Sequence, residues 1–410
     1  VPGADLPVRV LALGEEVRAM GRTQRAFARL LLRCRASRGR ATLLACGTSY
    51  HAAKVASVFF DKIAGIRVGA MLPGDFRAEA SASAREGDLL ITVSQSGETK
   101  DLIDIVNLVR SSGRNIPVVA VVNNINSTLA QEKADLCIPL LCGPETAVPA
   151  TKSFMNQLAV FYALALEAAR GTSPGAEAAR RRAALLRVPA LLEETLARCR
   201  PSVEKAAREL ALRPSMHILA TGMQGVAREG ALKVREVALN HTEGYEGAEF
   251  KHGPNTILGV STIFGLKALR AALRRDPGRP FASEFKRFYK NYPLVFVTGP
   301  AERDVNLTVS QINTHKIRGA DIWVVAEEHK ALREAIARSG GGRGRFRSGF
   351  IPLPATGDGL LPFFTAAAAL QLLALRMSLL KRSALERAGV RDHGVHPDTP
   401  KNVSKSITVD

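Results

Sequence analysis

The 410-residue chain is poor in aromatic residues and cysteines. Aromatic side chains make up 5% of it, tryptophan occurs once, and no RNA-binding motif is present. Five cysteines are an odd number, and their spacing lacks the paired pattern of a zinc site. The sequence therefore favours reduced thiols in a cytosolic protein over a disulfide framework. The cysteines are Cys34, Cys46, Cys137, Cys142 and Cys199.

Long apolar runs are also scarce. We find none with the length of a membrane span, and no secretory signal opens the chain. Both absences predict a cytoplasmic protein. The chain begins with Val1, so we expect a processed or trimmed N-terminus. Its 46% hydrophobic content suffices for two or three packed domains.

Acidic residues are outnumbered, 38 against 57 lysines and arginines, which gives a net charge of +19. Such a balance raises the question of nucleic acid as a partner. The basic residues are scattered, however, and no recognition domain accompanies them. An anionic substrate and a basic surface explain the charge, so we do not expect nucleic-acid binding as the main function.

Short apolar runs alternate with helix-length segments along the chain. This alternation predicts an α/β fold with doubly wound parallel sheets, flavodoxin-like three-layer αβα, covered on both faces. The expected strands are 41–45, 66–70, 89–93, 118–122 and 136–141, then 216–220, 294–297 and 322–326. The expected domains are a helical entry segment at 1–40, a first subdomain at 41–172, a second at 173–397 with an insert at about 264–292, and a C-terminal tail at 398–410.

The second set of strands repeats the plan of the first. The strand 216–220 ends in Thr221-Gly222, as the strand 41–45 ends in Cys46-Gly47. The strand 294–297 corresponds to 89–93, but no hydroxyl-rich turn follows it. We therefore predict an internal duplication in which only the first copy binds phosphate.

The turn Ser94-Gln95-Ser96-Gly97-Glu98-Thr99 follows an apolar strand and precedes a helical segment. A helix N-terminus offers unpaired N–H groups and a favourable dipole to an anion, and the hydroxyls add donors. The turn lacks the lysine of a Walker-type loop, which favours a phosphate monoester over a nucleoside triphosphate. A capping box at Ser96 with Glu98 or Thr99 is the structural alternative.

Further motifs resemble the sugar isomerase (SIS) family, in particular the isomerase halves of glucosamine-6-phosphate synthases. The resemblance covers about residue 41 to the end and predicts two SIS subdomains with the C-terminal tail. Its motifs are Cys46-Gly47-Thr48-Ser49-Tyr50, Thr151-Lys152-Ser153-Phe154, the segment from Glu229 to Glu236, Glu249-Phe250-Lys251-His252-Gly253-Pro254, and the tail from Asp398 to Asp410.

The resemblance implies a binding site for a sugar phosphate at the carboxyl ends of the first strands. Val148 would line the sugar through its backbone. The residues implied to bind substrate are Thr48, Ser49, Ser94, Gln95, Ser96, Thr99, Val148 and Ser404.

Four residues carry the implied catalysis. Glu236 resembles the family's general base, which moves a proton between C1 and C2. Lys233 lies three residues earlier on the same helix face, although a surface salt bridge would give the same spacing. His252 resembles the ring-opening histidine contributed by the neighbouring subunit, which implies a homodimer. Lys405 resembles the Schiff-base lysine, whose use requires the tail to fold over the site as a lid.

Three departures from the family stand out. The glutaminase half with its N-terminal cysteine is absent, and no residue before Cys34 can replace that nucleophile. We therefore expect trimming, a separate glutaminase subunit, use of free ammonia, or a deaminating reaction. Ala150 stands where the family has a serine near the sugar. Inserts at about 264–292 and 382–393 are a lid, a subunit interface or inert additions.

The expected activity is interconversion of fructose 6-phosphate plus ammonia with glucosamine 6-phosphate, without metal or other cofactor. A deglycase or isomerase acting on another phosphosugar is an alternative that Ala150 favours. A non-catalytic phosphosugar sensor is a third possibility, but it would not need Glu236, His252 and Lys405.

Overall fold

The computed structural model describes residues 15–170, 174–258, 291–338 and 346–398. The chain divides into two compact units, one ending at Ala190 and the other beginning at Leu191. This division lies beyond the domain boundary expected at residue 172. Most of the predicted insert, the glycine-rich loop at 339–345 and the tail after Asp398 lie outside the described residues.

The first unit contains a five-stranded parallel sheet in the order β2-β1-β3-β4-β5. Every residue of β3 and β4 is buried, as expected for central strands of a parallel sheet. The elements are α1 Glu15–Ala36, β1 Ala41–Ala45, α2 Gly47–Phe59, β2 Val68–Met71, α3 Pro73–Asp75, β3 Leu89–Ser94, α4 Lys100–Ser111, β4 Val118–Val122, β5 Leu136–Pro139, α5 Lys152–Ala168 and α6 Gly175–Leu186.

The second unit repeats this strand order as β7-β6-β8-β9-β10, again parallel throughout. The predicted fold class and internal duplication are therefore confirmed. The elements are α7 Val188–Leu210, β6 Ser215–Thr221, α8 Gln224–Ala238, β7 His241–Glu246, β8 Tyr292–Thr298, α9 Glu302–Ile317, β9 Ala320–Glu327, α10 Lys330–Ala337, β10 Ser348–Leu353 and α11 Pro362–Arg387.

Neither edge strand of the second sheet, β7 or β10, is among the strands predicted from the sequence. The β7 sequence, His-Thr-Glu-Gly-Tyr-Glu, is mostly polar, and β10 contains glycine and proline. Edge strands tolerate such residues because one side of their backbone does not pair within the sheet. The apolar runs used for the prediction mark central strands better than edges.

Helix α11 corrects the expectation that no apolar run is long enough to span a membrane. By length and composition it could do so, with a mean hydropathy of 1.7 in its most apolar window. However, 72% of that window is buried inside the protein. The helix packs on α8, where Ser378 donates a hydrogen bond to the Val237 carbonyl and Lys381 to that of Ala238. These contacts are typical of a core helix.

Candidate functional site

The candidate site lies at the carboxyl edge of the first sheet, where the strand order reverses between β1 and β3. Ligands of open α/β sheets bind in the crevice at such a point. The register pairs Ala45 with Val93. The segment that follows β1, with Thr48 and Ser49, therefore lies beside the segment that follows β3.

The turn after β3 is closed by its own hydroxyls. Buried Ser94 accepts the Gly97 N–H through Oγ at 3.0 Å, and this Oγ lies 2.9 Å from Oγ1 of Thr99. Ser96 Oγ accepts the Glu98 N–H at 3.2 Å. These bonds hold the three hydroxyls within one turn, as the sequence predicted.

Gly97 is required by both conformation and space. Its φ is +70°, a left-handed conformation that side chains disfavour. A Cβ at this position would lie 1.8 Å from Oγ of Ser127, which is itself fixed by a hydrogen bond to the Asn124 carbonyl. No side chain other than hydrogen fits here without moving the neighbouring loop.

The capping-box alternative for this turn is wrong. Thr99 is the N-cap residue of α4, and its side chain makes no capping hydrogen bond. The Glu98 carboxylate instead accepts the Thr128 N–H at 2.8 Å and braces the adjacent loop. The start of α4 thus lacks the side-chain cap that would compete with an anion.

Helix α2 presents a second such N-terminus to the crevice. Its N-cap residue, Cys46, makes no side-chain cap, and Gly47 has a φ of +54°. Ser49, in the first turn, is buried and accepts a hydrogen bond from the Gln157 amide at 2.9 Å. Two helix N-termini without side-chain caps therefore flank the hydroxyl turn, an arrangement suited to a phosphate group.

Helix α5 differs because a carboxylate caps it. Glu145 accepts the Thr151 N–H at 3.0 Å and the Ser153 N–H at 3.2 Å. The Ser153 hydroxyl donates to the other carboxylate oxygen at 2.6 Å. The start of α5 is thus satisfied by the protein, unlike those of α2 and α4.

Val148 lies in the loop between β5 and α5 and is 39% exposed. Asn123 anchors the start of this loop by donating to the Gly143 carbonyl at 2.9 Å and accepting the Cys142 N–H at 3.0 Å. Glu145 anchors its end. The loop backbone is therefore fixed at both sides of Val148.

In the second unit, α8 carries a buried ion-paired lysine. Lys233 is 2% exposed and lies 2.6 Å from Glu236 and 3.3 Å from Glu229. Burial alone would lower the pKa of Lys233, but Glu229 and Glu236 outweigh it, so the pKa is raised. The alternative of a surface salt bridge is wrong, because Lys233 and Glu229 are both inside the protein.

The remaining predicted catalytic residues lie elsewhere. His252 is exposed and follows a short 3₁₀ turn, Glu249–Lys251, in the second unit. Lys405 and Ser404 lie outside the described residues. The structure thus brings together Ser94, Ser96 and Thr99 in one unit, and Lys233 and Glu236 in the other.

Three participants were missed from sequence. Glu229 was quoted only as part of a motif, yet its position four residues before Lys233 places both on one helix face. Gln157 and Glu145 carry weaker signals. Their partners lie 108 and 8 residues away, and nothing in the local pattern indicates the first pairing.

The cysteines are free thiols. Burial raises the pKa of Cys34 and of Cys199 to about 11, with the charge of Asp88 adding to the effect at Cys34. Burial and then the charge of Asp101 raise the pKa of Cys46, beside the crevice. These environments disfavour the thiolate that a cysteine nucleophile needs.

Comparisons with known proteins agree with this architecture. Residues 35–167 match the SIS domain family. Glutamine–fructose-6-phosphate aminotransferase [isomerizing] of Caulobacter vibrioides is 30% identical over 374 residues, which are 90% of this chain and 52% of that protein. The chain thus spans about half the length of the curated relatives it matches.

Solved structures share the fold. The C-terminal domain of glucosamine-fructose-6-phosphate aminotransferase from Francisella tularensis has a TM-score of 0.66 at 21% identity, covering 90% of this chain and 96% of that one. Tagatose-6-phosphate ketose/aldose isomerase from Escherichia coli has a TM-score of 0.66 at 17% identity, covering 98% and 94%. Residues 35–167 therefore match a SIS domain, and 90% of the chain is similar to about half of a glutamine–fructose-6-phosphate aminotransferase.

Proposed function

We propose that the chain is a phosphosugar isomerase that interconverts fructose 6-phosphate plus ammonia with glucosamine 6-phosphate. The observation that carries this proposal is the hydroxyl turn Ser94–Thr99 between two helix N-termini without side-chain caps. These donors suit a phosphate monoester. The identity of the sugar, fructose 6-phosphate, is inferred from the names of the relatives.

The proposed chemistry is acid–base and imine catalysis. The Lys405 amine attacks the open-chain ketose carbonyl, and loss of water leaves an imine. Ammonia then displaces the lysine from that carbon. Glu236 takes the proton from C1 and returns it to C2, which converts the ketose imine into the amino aldose. His252 transfers the ring proton during opening.

Lys233 positions the proposed base rather than touching substrate. Its ammonium lies 2.6 Å from Glu236, while Glu229 accepts on its other side. Because the buried lysine is held between two carboxylates, Glu236 has a fixed direction within α8. A base whose direction is fixed needs no reorientation before it accepts a proton.

Ammonia release from glucosamine 6-phosphate by the purified chain tests the proposal. We expect release by wild type and its loss in Glu236→Gln and Lys405→Ala. Thr298→Val, which alters the matching strand end of the second sheet, is the control and should retain activity. Wild-type protein that neither releases ammonia nor interconverts glucose 6-phosphate and fructose 6-phosphate would overturn the proposal.

We propose a homodimer in which His252 completes the site of the neighbouring subunit. Mixing inactive Glu236→Gln protein with inactive His252→Ala protein should then restore part of the activity, because mixed dimers contain one intact site. Restoration to no more than the sum of the separate activities would show that His252 acts within its own subunit.

A separate glutaminase subunit or free ammonia would supply the nitrogen.

Ala150 favours a second candidate, an isomerase or deglycase acting on another phosphosugar. It lies beside the fixed Val148 segment and offers no hydroxyl to the sugar. If this candidate holds, Ala150→Ser should raise activity towards glucosamine 6-phosphate and lower it towards the native sugar. Equal changes for every phosphosugar tried would argue against it.

A further inference from the structure

We propose that Gln157 is a positioning residue that orients the Ser49 hydroxyl toward an oxygen of the bound phosphosugar. This inference rests on the proposed function. Gln157 lies on α5, 108 residues from Ser49, and its amide nitrogen donates to Ser49 Oγ at 2.9 Å. Ser49 occupies the first turn of α2, one of the helix starts that face the crevice.

The direction of this hydrogen bond decides what Ser49 can do. A serine hydroxyl has one proton to donate and two lone pairs. Because Gln157 donates to Oγ, the Ser49 proton remains available for a further acceptor, such as a phosphate or sugar oxygen. If the Gln157 oxygen faced Ser49 instead, the serine proton would be directed at the glutamine and lost to an anion.

Apart from its bond to Ser49, the described residues give the Gln157 side chain no hydrogen bond that an apolar residue would lack. Its side chain is fully buried, as are those of Phe154, Leu158 and Phe161 on the same helix. Within the described ranges its amide oxygen has no hydrogen-bond partner. A buried polar atom without a partner destabilises the fold. A leucine would fill this space without that loss, so the glutamine is explained by its bond to Ser49.

This role predicts different effects on stability and on binding. Gln157→Leu removes the partnerless oxygen but also the hydrogen bond to buried Ser49, so the two changes offset each other and the melting temperature should change little. The same change releases the Ser49 hydroxyl, so affinity for fructose 6-phosphate should fall about tenfold, the usual effect of one oriented hydrogen bond. A residue with only a packing role would lower stability and affinity together.

A double-mutant cycle by isothermal titration calorimetry tests the coupling. Gln157→Leu should weaken fructose 6-phosphate binding in wild type and change it less than twofold in a Ser49→Ala background. Ser57→Ala, which removes another hydroxyl of α2 bonded to the Ala53 carbonyl, should leave affinity unchanged. Gln157→Met serves as the second substitution if the leucine variant does not fold.

The outcomes separate this inference from the proposed function. Unchanged affinity in both Gln157 variants, with wild type binding normally, overturns the inference alone. An equal loss in the wild-type and Ser49→Ala backgrounds also overturns it, because Gln157 would then act by another route. Wild-type protein that binds neither fructose 6-phosphate nor glucosamine 6-phosphate overturns both.

Discussion

The two units have one strand order but different chemistry where the central strands end. In the first, β3 leads into a turn of hydroxyls, and α4 begins without a side-chain cap. In the second, β8 leads into Thr298-Gly299-Pro300, and the first turn of α9 contains two carboxylates, Glu302 and Asp304, where that of α4 contains one, Asp101. Carboxylates near a helix N-terminus already interact with the positive end of the helix dipole, which would otherwise attract an anion.

The hydroxyls at the second edge are also engaged by the protein itself. Thr221, at the end of β6, lies 3.0 Å from the Thr308 hydroxyl, and Thr298 donates to the Gly299 carbonyl at 3.3 Å. A shared fold therefore does not imply a shared site, since turn residues decide what the carboxyl edge can bind.

The largest effect is expected at Lys233, the buried cation of the second unit. Lys233→Met removes the cation that lies within 3.3 Å of both Glu229 and Glu236, and breaking a buried ion pair in this way destabilises by about 3–5 kcal/mol. Urea unfolding followed by Trp323 fluorescence measures this directly. Trp323 is the sole tryptophan and is buried in β9 of the same unit.

The matched control is Lys330→Met on α10, whose lysine is 90% exposed and 4.0 Å from Glu334. Surface pairs of this kind contribute about 0–1 kcal/mol, so its unfolding curve should match wild type. A loss below about 1 kcal/mol in Lys233→Met would show that the buried carboxylates find other partners.

The next largest effect is expected at one of two glycines that follow central strands, Gly97 after β3 and Gly222 after β6. Gly97 and Gly222 each have a φ of +70°, so alanine at either position costs about 1–2 kcal/mol in backbone strain. Only at Gly97 would the new Cβ also collide with Ser127, whereas at Gly222 the nearest atom is an Asp304 oxygen at 3.4 Å.

Gly97→Ala should therefore abolish phosphosugar binding and lower stability by about 3 kcal/mol, while Gly222→Ala should bind normally. Calorimetric titration with fructose 6-phosphate and thermal unfolding by circular dichroism measure both properties. Equal losses of binding in the two variants would remove the functional distinction between the two edges.

Acid should destabilise the second unit through His217 and His315. Burial lowers the pKa of each to about 4. At His217 the charge of Glu243 opposes this shift and that of His241 adds to it. At His315 the charges of Lys251 and Arg318 both add to it. The unfolded chain takes up these protons near pH 6.5. Stability should therefore fall as the pH drops from about 6.5 to 4, because protons bind the unfolded state first.

His315 provides the test because it is fully buried between Phe250 and Phe296. The difference between pKa values of 6.5 and about 4 corresponds to about 3.4 kcal/mol in full, of which about 2.5 kcal/mol is reached at pH 4.5, so His315→Leu should reduce the acid-induced loss by about that amount. Urea unfolding at pH 7.5 and 4.5, read by Trp323, measures it. His252→Leu, at an exposed position, is the control. An unaltered acid loss in His315→Leu would assign the effect to other groups.

The sequence predicted the central strands well because buried parallel strands are unbroken apolar runs. The predictions for 41–45 and 118–122 match β1 and β4 residue for residue. Helix starts are harder to predict, as at α2, which begins at Gly47. Hydroxyl and glycine residues in a first turn resemble loop when no side chain caps the helix.

The candidate site shows the same division between local and distant information. The hydroxyl turn consists of consecutive residues, so all of its side chains could be identified from the sequence. The pairing of Gln157 with Ser49 joins residues 108 positions apart and depends on how α5 packs against α2. The burial of Lys233 likewise depends on α11 covering α8, and the apolar length of α11 was not recognised from the sequence.

The smallest effects are expected from removing the caps of two helices, one in each unit. Glu145→Ala removes the acceptor for Thr151 and Ser153 at the start of α5, and loss of a cap costs about 1–2 kcal/mol. His329→Ala removes a cap from α10, where Nδ1 accepts the Ala331 N–H at 3.2 Å. Thermal unfolding should show a modest loss in both variants.

Binding should distinguish these two variants. Glu145 also fixes the loop that presents Val148, so Glu145→Ala should raise the KM for the phosphosugar several-fold with a smaller change in kcat. His329→Ala should alter neither constant, because the second carboxyl edge holds no substrate in this proposal. A raised KM in His329→Ala would show that the second carboxyl edge also takes part in binding. The inference from Glu302 and Asp304 that only the first edge binds substrate would then be wrong.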